Sequence, residues 1–248
     1  MKPTGPFDDQ DRIELGELLA YADEVVAMRE IAAGEHDPLI VGLRHDVDNT
    51  LEAVQEFAEW EYVHGWRATY FILHDSPYWN DPLLRPVLEK LADLQHEIGL
   101  HCNGIAEELR QQRPAAEIVH EALERLRGWG HNVVGTVAHG DDLCYNHAHE
   151  VRFVNDEMFA ECARPGLGHP ARDVAGIQID PKPLAEYGLL YDANHLSRAI
   201  YLSDSGNRWN DWSMTKEFPT ISGQLHMLIH PCWWTQAFDR WGATKETV

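Results

Sequence analysis

The chain has 248 residues, 44% of them hydrophobic, and a net charge of −21 at pH 7. That length suits one domain with a full apolar core and no need of disulfide staples. The acidic balance argues against nucleic acid, whose phosphates demand clustered basic residues, and against an anionic membrane surface; it fits a neutral or cationic small-molecule substrate.

No apolar run reaches the length of a membrane span. The opening Met1 to Asp9 lacks the apolar stretch of a signal peptide, so a cytoplasmic location is expected. Cys102, Cys144, Cys162 and Cys232 are far apart with no CxxC pair, and read as reduced thiols rather than a disulfide frame or zinc knuckle. The 15 histidines are unusually many for this length. The informative ones are those at strand ends beside carboxylates.

In chain order, apolar periodicity predicts an amphipathic helix over 13–33 closed by Gly34, within an N-terminal helical extension covering 1–37. Leu39 to Leu43 is a continuous apolar run, as in a strand buried on both faces. A helix follows over 49–63, a strand over 68–73, a helix over 82–94 and a third strand over 96–101. A helix over 114–129 and a strand over 132–137 come next. The stretch 140–170 has no clear period and reads as a long functional loop with short helices. Later strands are expected near 174–179, 189–191, 199–202 and 225–229. The repeated alternation of strand and helix predicts α/β with a mostly parallel sheet, in one domain spanning 1–248.

Several of these strands end in chemistry. Leu43-Arg44-His45-Asp46-Val47-Asp48 closes the first buried strand, and alternation places Arg44, Asp46 and Asp48 on one face with His45 on the other. Two converging carboxylates repel unless a cation lies between them or one is protonated. A bland reading has Asp48 or Asn49 capping the next helix and Arg44 paired with Asp46. In His96-Glu97-Ile98-Gly99-Leu100-His101 the odd spacing puts the histidines on opposite faces; His101 is the candidate and His96 a surface or packing residue. His230 ends the last apolar strand, where Pro231 stops the ladder. His139-Gly140-Asp141-Asp142 follows the fourth strand, and Asp204 lies in Ser203-Asp204-Ser205-Gly206, which could equally be a plain turn. His and Asp delivered by several strand ends suit one divalent metal ion, zinc foremost, with a separate acid and base.

Taken in order, RHDVD, ATYFI, HEIGLH and a terminal LIHP followed by WW resemble the polysaccharide deacetylase superfamily (NodB-homology, carbohydrate esterase 4-like), over about Leu39 to Trp234. The set RHDVD, His-Gly, SDSGNRW (203–209) and HPxWW is similar to a divergent subgroup linked with surface-polysaccharide or O-antigen biosynthesis. The resemblance implies a distorted (β/α)₇ barrel that removes an N-acyl group, usually acetyl, from an amino sugar. It implies Asp46 as general base, Asp48 as metal carboxylate, His101 as first metal histidine and His230 as general acid. Because Val47 splits the usual Asp pair, Asp46 and Asp48 could exchange roles.

Two departures stand out. The second metal histidine is missing after His101, where Cys102-Asn103-Gly104-Ile105 follow, and Val137-Ala138-His139-Gly140 replaces the Arg-containing third motif. His139 is therefore assigned as third metal ligand or substrate contact, with His45, Asn103 and water as alternatives. Arg44 is expected to hold Asp46 ionised. Asp204 is expected to bind substrate, and Trp234, ahead of Trp209, Trp212, Trp233 and Tyr145, to offer a flat face to a sugar. The expected substrate is a free, nucleotide-linked or lipid-linked amino sugar, and a homodimer is compatible with tryptophans exposed near the C-terminus. The contrasting expectation is a catalytically degenerate barrel that binds a glycan or a partner protein.

Overall fold

The structure, a computed structural model, describes residues 5–34, 39–162, 171–211 and 222–238. They fall into two compact units, one made of residues up to 70, 76–98 and 197 onward, the other of 71–75 and 99–196. The protein is α/β, and its paired strands in both units run parallel apart from one hairpin. No described helix is long and apolar enough to cross a membrane.

The first unit is organised by β2 (Ile40–Val47), every residue of which is buried. Its sheet order is β3-β2-β10-β9, with β1 also paired to β2. Here β1 is Glu24–Val26, β3 starts at Thr69, β9 is Ile200–Ser203 and β10 is Gln224–Ile229. Among the described residues, its α-helices are α1 (Asp9–Leu19), α2 (Met28–Ala32), α3 (Val54–Val63) and α4 (Leu84–Asp93). A Cβ on Gly42 would lie 2.7 Å from Ile31, so a glycine there lets α2 seat directly on the strand.

The second unit contains the ends of β3 (to Leu73) and β4 (Glu97–Cys102), then α5 (Gly104–Gln111), α6 (Ala115–Gly128) and β5 (Gly135–Ala138). The antiparallel pair β6 (Arg172–Val174) and β7 (Ile177–Ile179) follows, and then β8 (Tyr191–Asp192), which pairs with β5. The described residues between β5 and β6 are mainly loop, with 3₁₀ turns at Asp142–Cys144, Asn155–Met158 and Ala160–Cys162. That agrees with the long aperiodic segment expected at 140–170, whose last eight residues lie outside the described ones.

Four expectations need correction. The helix predicted over 13–33 is two helices around a strand. Val25 and Val26 gain a parallel register with Val41 and Gly42, and the Asp23 carboxylate accepts from Leu39 N–H at 2.9 Å. The helix predicted from Asn49 starts only at Val54, because Ala53 stands in the left-handed region at φ 62°. Helix α5 was not anticipated. The strand predicted over 174–179 is half of a hairpin, turned by Ala175 (φ 51°) and Gly176 (φ 92°).

Close packing inside β5 gives a stability test. A Cβ on Gly135 would sit 2.2 Å from the Tyr191 phenol on β8. Gly135→Val is expected to lower stability by about 1–3 kcal/mol through overpacking, read from urea midpoints, whereas Gly128→Ala, where a Cβ meets open space, should not be destabilising.

Candidate functional site

In the first unit, β2, β10 and β9 are neighbours running the same way. Their C-terminal ends therefore present side chains together, as parallel α/β sheets do. β2 delivers Arg44 and Asp46 and, one residue past its end, Asp48; β10 delivers His230; β9 delivers Asp204. Arg44 Nη2 stands 3.4 Å from Asp46 Oδ2 and 3.5 Å from the Tyr201 hydroxyl. The expected ion pair is thus present. The expected helix cap is not, since Ala53, with no side-chain cap, precedes α3.

His230 is the best-supported side chain of this group. Its Nδ1–H donates to Asp204 Oδ1 at 2.6 Å, and its backbone N–H donates to the same carboxylate at 3.0 Å. Nε2 is left facing Asp48, 3.8 Å from Oδ2. Burial works against the imidazolium, but Asp204, as a charge and as a hydrogen-bond partner, outweighs it. With Asp46 and Asp48 adding to the pull, the pKa is pushed up to about 9.

Two substrate assignments change. Asp204 is fully buried and also accepts from the Trp234 indole N–H at 2.9 Å, so its oxygens are engaged with protein and orient His230 instead of touching a sugar. Trp234 is 1% exposed and stacked on Phe7 at 4.2 Å, which hides the ring faces and removes it from any dimer surface. Trp209 is equally buried. Trp233 is half-buried, with its ring 4.4 Å from His230, and Tyr145 is exposed. Trp212 lies outside the described residues.

As alternation predicted, His45 points to the other face of β2. There its Nε2 meets Glu61 at 2.6 Å and its ring stacks on Tyr70. Tyr70 donates to the same buried glutamate at 2.8 Å, and burial together with that charge raises the phenol pKa well above its ordinary value. His96 is a packing residue, contacting Ala58 O at 2.9 Å and accepting from Ala68 N–H at 3.1 Å. His45 therefore is not a ligand candidate.

In the second unit, His101 ends β4 and His139 follows β5. His101 Nδ1 lies 3.1 Å from Val137 O, which assigns the proton to Nδ1 and leaves a lone pair on Nε2. His139 Nδ1 stands 3.2 Å from that Nε2, and the rings are perpendicular. Two imidazole nitrogens converge as a bidentate pair of donors. Asn103, the other alternative, is fully engaged: its amide donates to Asp75 at 2.6 Å and Asp141 at 2.8 Å, and its oxygen accepts from Asn155 at 2.8 Å. Asp141 is clamped by Arg110 at 2.7 Å and has a structural part.

Sequence reasoning passed over His74, at the end of β3. Its Nε2 accepts from Asn103 N–H at 2.9 Å, and burial first, then the charges of His101 and His139, lower its pKa to about 3. The signal was available, since His74-Asp75 ends an apolar strand as the chosen candidates do. A cleft of about 860 Å³ in the first unit also went unread; Asn49, Thr50, Glu52, Glu56, Tyr78 and Asp81 help to line it. It begins one residue beyond Asp48.

Comparison with protein-family models and with curated proteins finds no match to this chain.

One buried histidine of the first unit ties stability to pH. His226 on β10 is kept neutral by burial and then by the Arg198 and Arg44 charges, which lower its pKa to about 4. The unfolded chain takes up this proton near pH 6.5 and the folded chain does not. Its contribution to stability is therefore intact above that range and is lost as pH falls towards 4, at up to about 1.4 kcal/mol per pH unit. His226→Leu should show a shallower loss than the wild type between pH 7.5 and 5, measured by urea unfolding.

Proposed function

We propose that this chain is a metal-dependent amide hydrolase of the polysaccharide deacetylase type, built on a distorted (β/α)₇ barrel. It removes an N-acyl group, acetyl in the first instance, from an amino sugar used in surface-polysaccharide biosynthesis. The observation that carries the reading is the His230–Asp204 pair at 2.6 Å, with the carboxylates of Asp46 and Asp48 beside it at neighbouring strand ends. An oriented imidazole next to a carboxylate pair is what acyl transfer to water requires of the protein.

By the motif reading, Asp48, His101 and His139 would hold the ion: a carboxylate oxygen and two imidazole nitrogens suit zinc or a neighbouring divalent metal. When bound, such an ion supplies Lewis acidity to the acyl oxygen. Asp46 takes the proton from the attacking water, and Arg44, 3.4 Å away, fixes its orientation. His230 donates from Nε2 to the departing nitrogen, because Nδ1 is committed to Asp204. The Val137 carbonyl fixes the His101 tautomer in the way that ligand histidines are commonly held.

Trp233 takes the sugar-facing part first assigned to Trp234, as the half-buried ring beside His230. The carboxylates of Glu52, Glu56 and Asp81 in the adjoining cleft favour a neutral acyl sugar and its cationic amine product over a substrate whose phosphates enter there.

Metal analysis and amine release test this together. Asp48→Ala and His101→Ala should each bind one ion fewer than the wild type. His230→Gln should keep the wild-type ion content while release of amine from N-acetylated amino sugars falls by roughly 10²–10⁴-fold. Unchanged ion content in the first two variants, or no amine from any acylated sugar with the wild type, would overturn the proposal. Asp204→Asn is expected to keep the fold and lower kcat more than it raises KM, because it disturbs the orientation of the acid and not the binding of sugar.

A further inference from the structure

We infer that the second unit carries a separate metal site, formed by Asp156, Cys162, Asp192 and His195, that takes a zinc-like divalent ion in a structural role. The four residues each offer one ligand atom, two carboxylate oxygens, a thiol sulfur and an imidazole nitrogen, and these atoms lie within 4.8 Å of one another. None of them belongs to the proposed catalytic group.

The site is built by three stretches brought together by backbone bonding. Asp156 lies in the 3₁₀ turn Asn155–Met158, and Cys162 ends the next turn, Ala160–Cys162. The two turns are set side by side because Ala160 N–H donates to Lys182 O and Lys182 N–H donates to Met158 O, at 2.9 and 3.0 Å. Asp192 ends β8, opposite Thr136 of β5, and its carboxylate accepts from Asn194 N–H at 2.8 Å. That tight turn swings His195 back so that its Nε2 reaches Asp156 Oδ2 at 2.9 Å.

Charge and donor chemistry then point to a cation. Asp156 and Asp192 are both buried, at 0% and 2% exposure, and their carboxylate oxygens converge with an imidazole nitrogen and a thiol sulfur, four donors of the kind that metal ions take. A thiol that is 1% exposed adds a soft ligand to the set. Sulfur, nitrogen and oxygen together select a borderline ion such as Zn²⁺ over Mg²⁺ or Ca²⁺. Four protein ligands close a tetrahedral shell, the mark of a structural site, whereas a catalytic one keeps a position open. The ion would tie the 3₁₀ segment 155–162, poor in regular structure, to the end of a sheet strand.

The test uses the full chain stripped of metal and reloaded with Co²⁺, which reports a thiolate ligand by a sulfur-to-cobalt charge-transfer band. The wild type should show that band and bind one ion beyond the one proposed for Asp48, His101 and His139. Cys162→Ser should lose the band and one equivalent of ion, while Asp48→Ala and His101→Ala should retain the band. His195→Ala, truncating the most exposed of the four ligands, should keep the wild-type circular dichroism, bind one ion fewer, and lose most of the rise in Tm that zinc gives the wild type. A missing band, a band that survives Cys162→Ser, or unchanged ion content in His195→Ala would overturn the inference. Because the two sets of variants remove different equivalents, failure of this site and failure of the catalytic reading are separable.

Discussion

The carboxylate of Asp204 is wholly buried, and it is occupied from three directions: by the His230 ring, by the His230 backbone N–H and by the Trp234 indole. A charge in such a place is tolerated only while those donors stay where they are, so position and charge specify each other. The consequence for chemistry is direct. With Nδ1 committed, His230 has one nitrogen left to work with, and that nitrogen faces Asp48. Three neighbouring parallel strands set the spacing of these groups, and the Trp234 indole beyond β10 completes the hold on the carboxylate.

How much of this was readable beforehand depends on range. The strand-end positions of Arg44, Asp46, Asp48 and His230 in the first unit, and of His101 and His139 in the second, were legible because each follows an apolar run. Alternation along β2 was enough to send His45 away from its neighbours. What lay beyond reach were properties set by distant partners. Trp234 and Asp204 looked like exposed recognition groups, and only the stacking of Phe7 and the three donors reveal them as packing and orienting residues. The parallel pairing of β1 with β2 turned a helical pattern into a strand, since three residues in register carry more weight than a short periodicity. Asp156, Cys162, Asp192 and His195 gave no motif at all, because backbone bonds far along the chain bring them together.

Burial divides the histidines into kinds. His74 and His226 are held neutral, with pKa values lowered to about 3 and about 4, whereas the pKa of His230 is pushed up to about 9. All three are buried, so desolvation opposes the charged form in each. The difference is the nearest partner: arginines or other imidazoles in the first two, a carboxylate in the third. A chain rich in histidine can thus keep several of them neutral and hold one as an imidazolium beside a carboxylate.

Phe7 links the N-terminal segment to this arrangement. Its backbone N–H donates to Trp233 O at 2.8 Å while its ring covers Trp234, and Gly5 N–H donates to Asn207 O at 2.8 Å on the segment that follows Asp204. Residues near the start of the chain therefore act as a clasp over the groups that aim His230. Affinity handles or trimmed boundaries that reach Phe7 would loosen the indole, and with it the hold on His230.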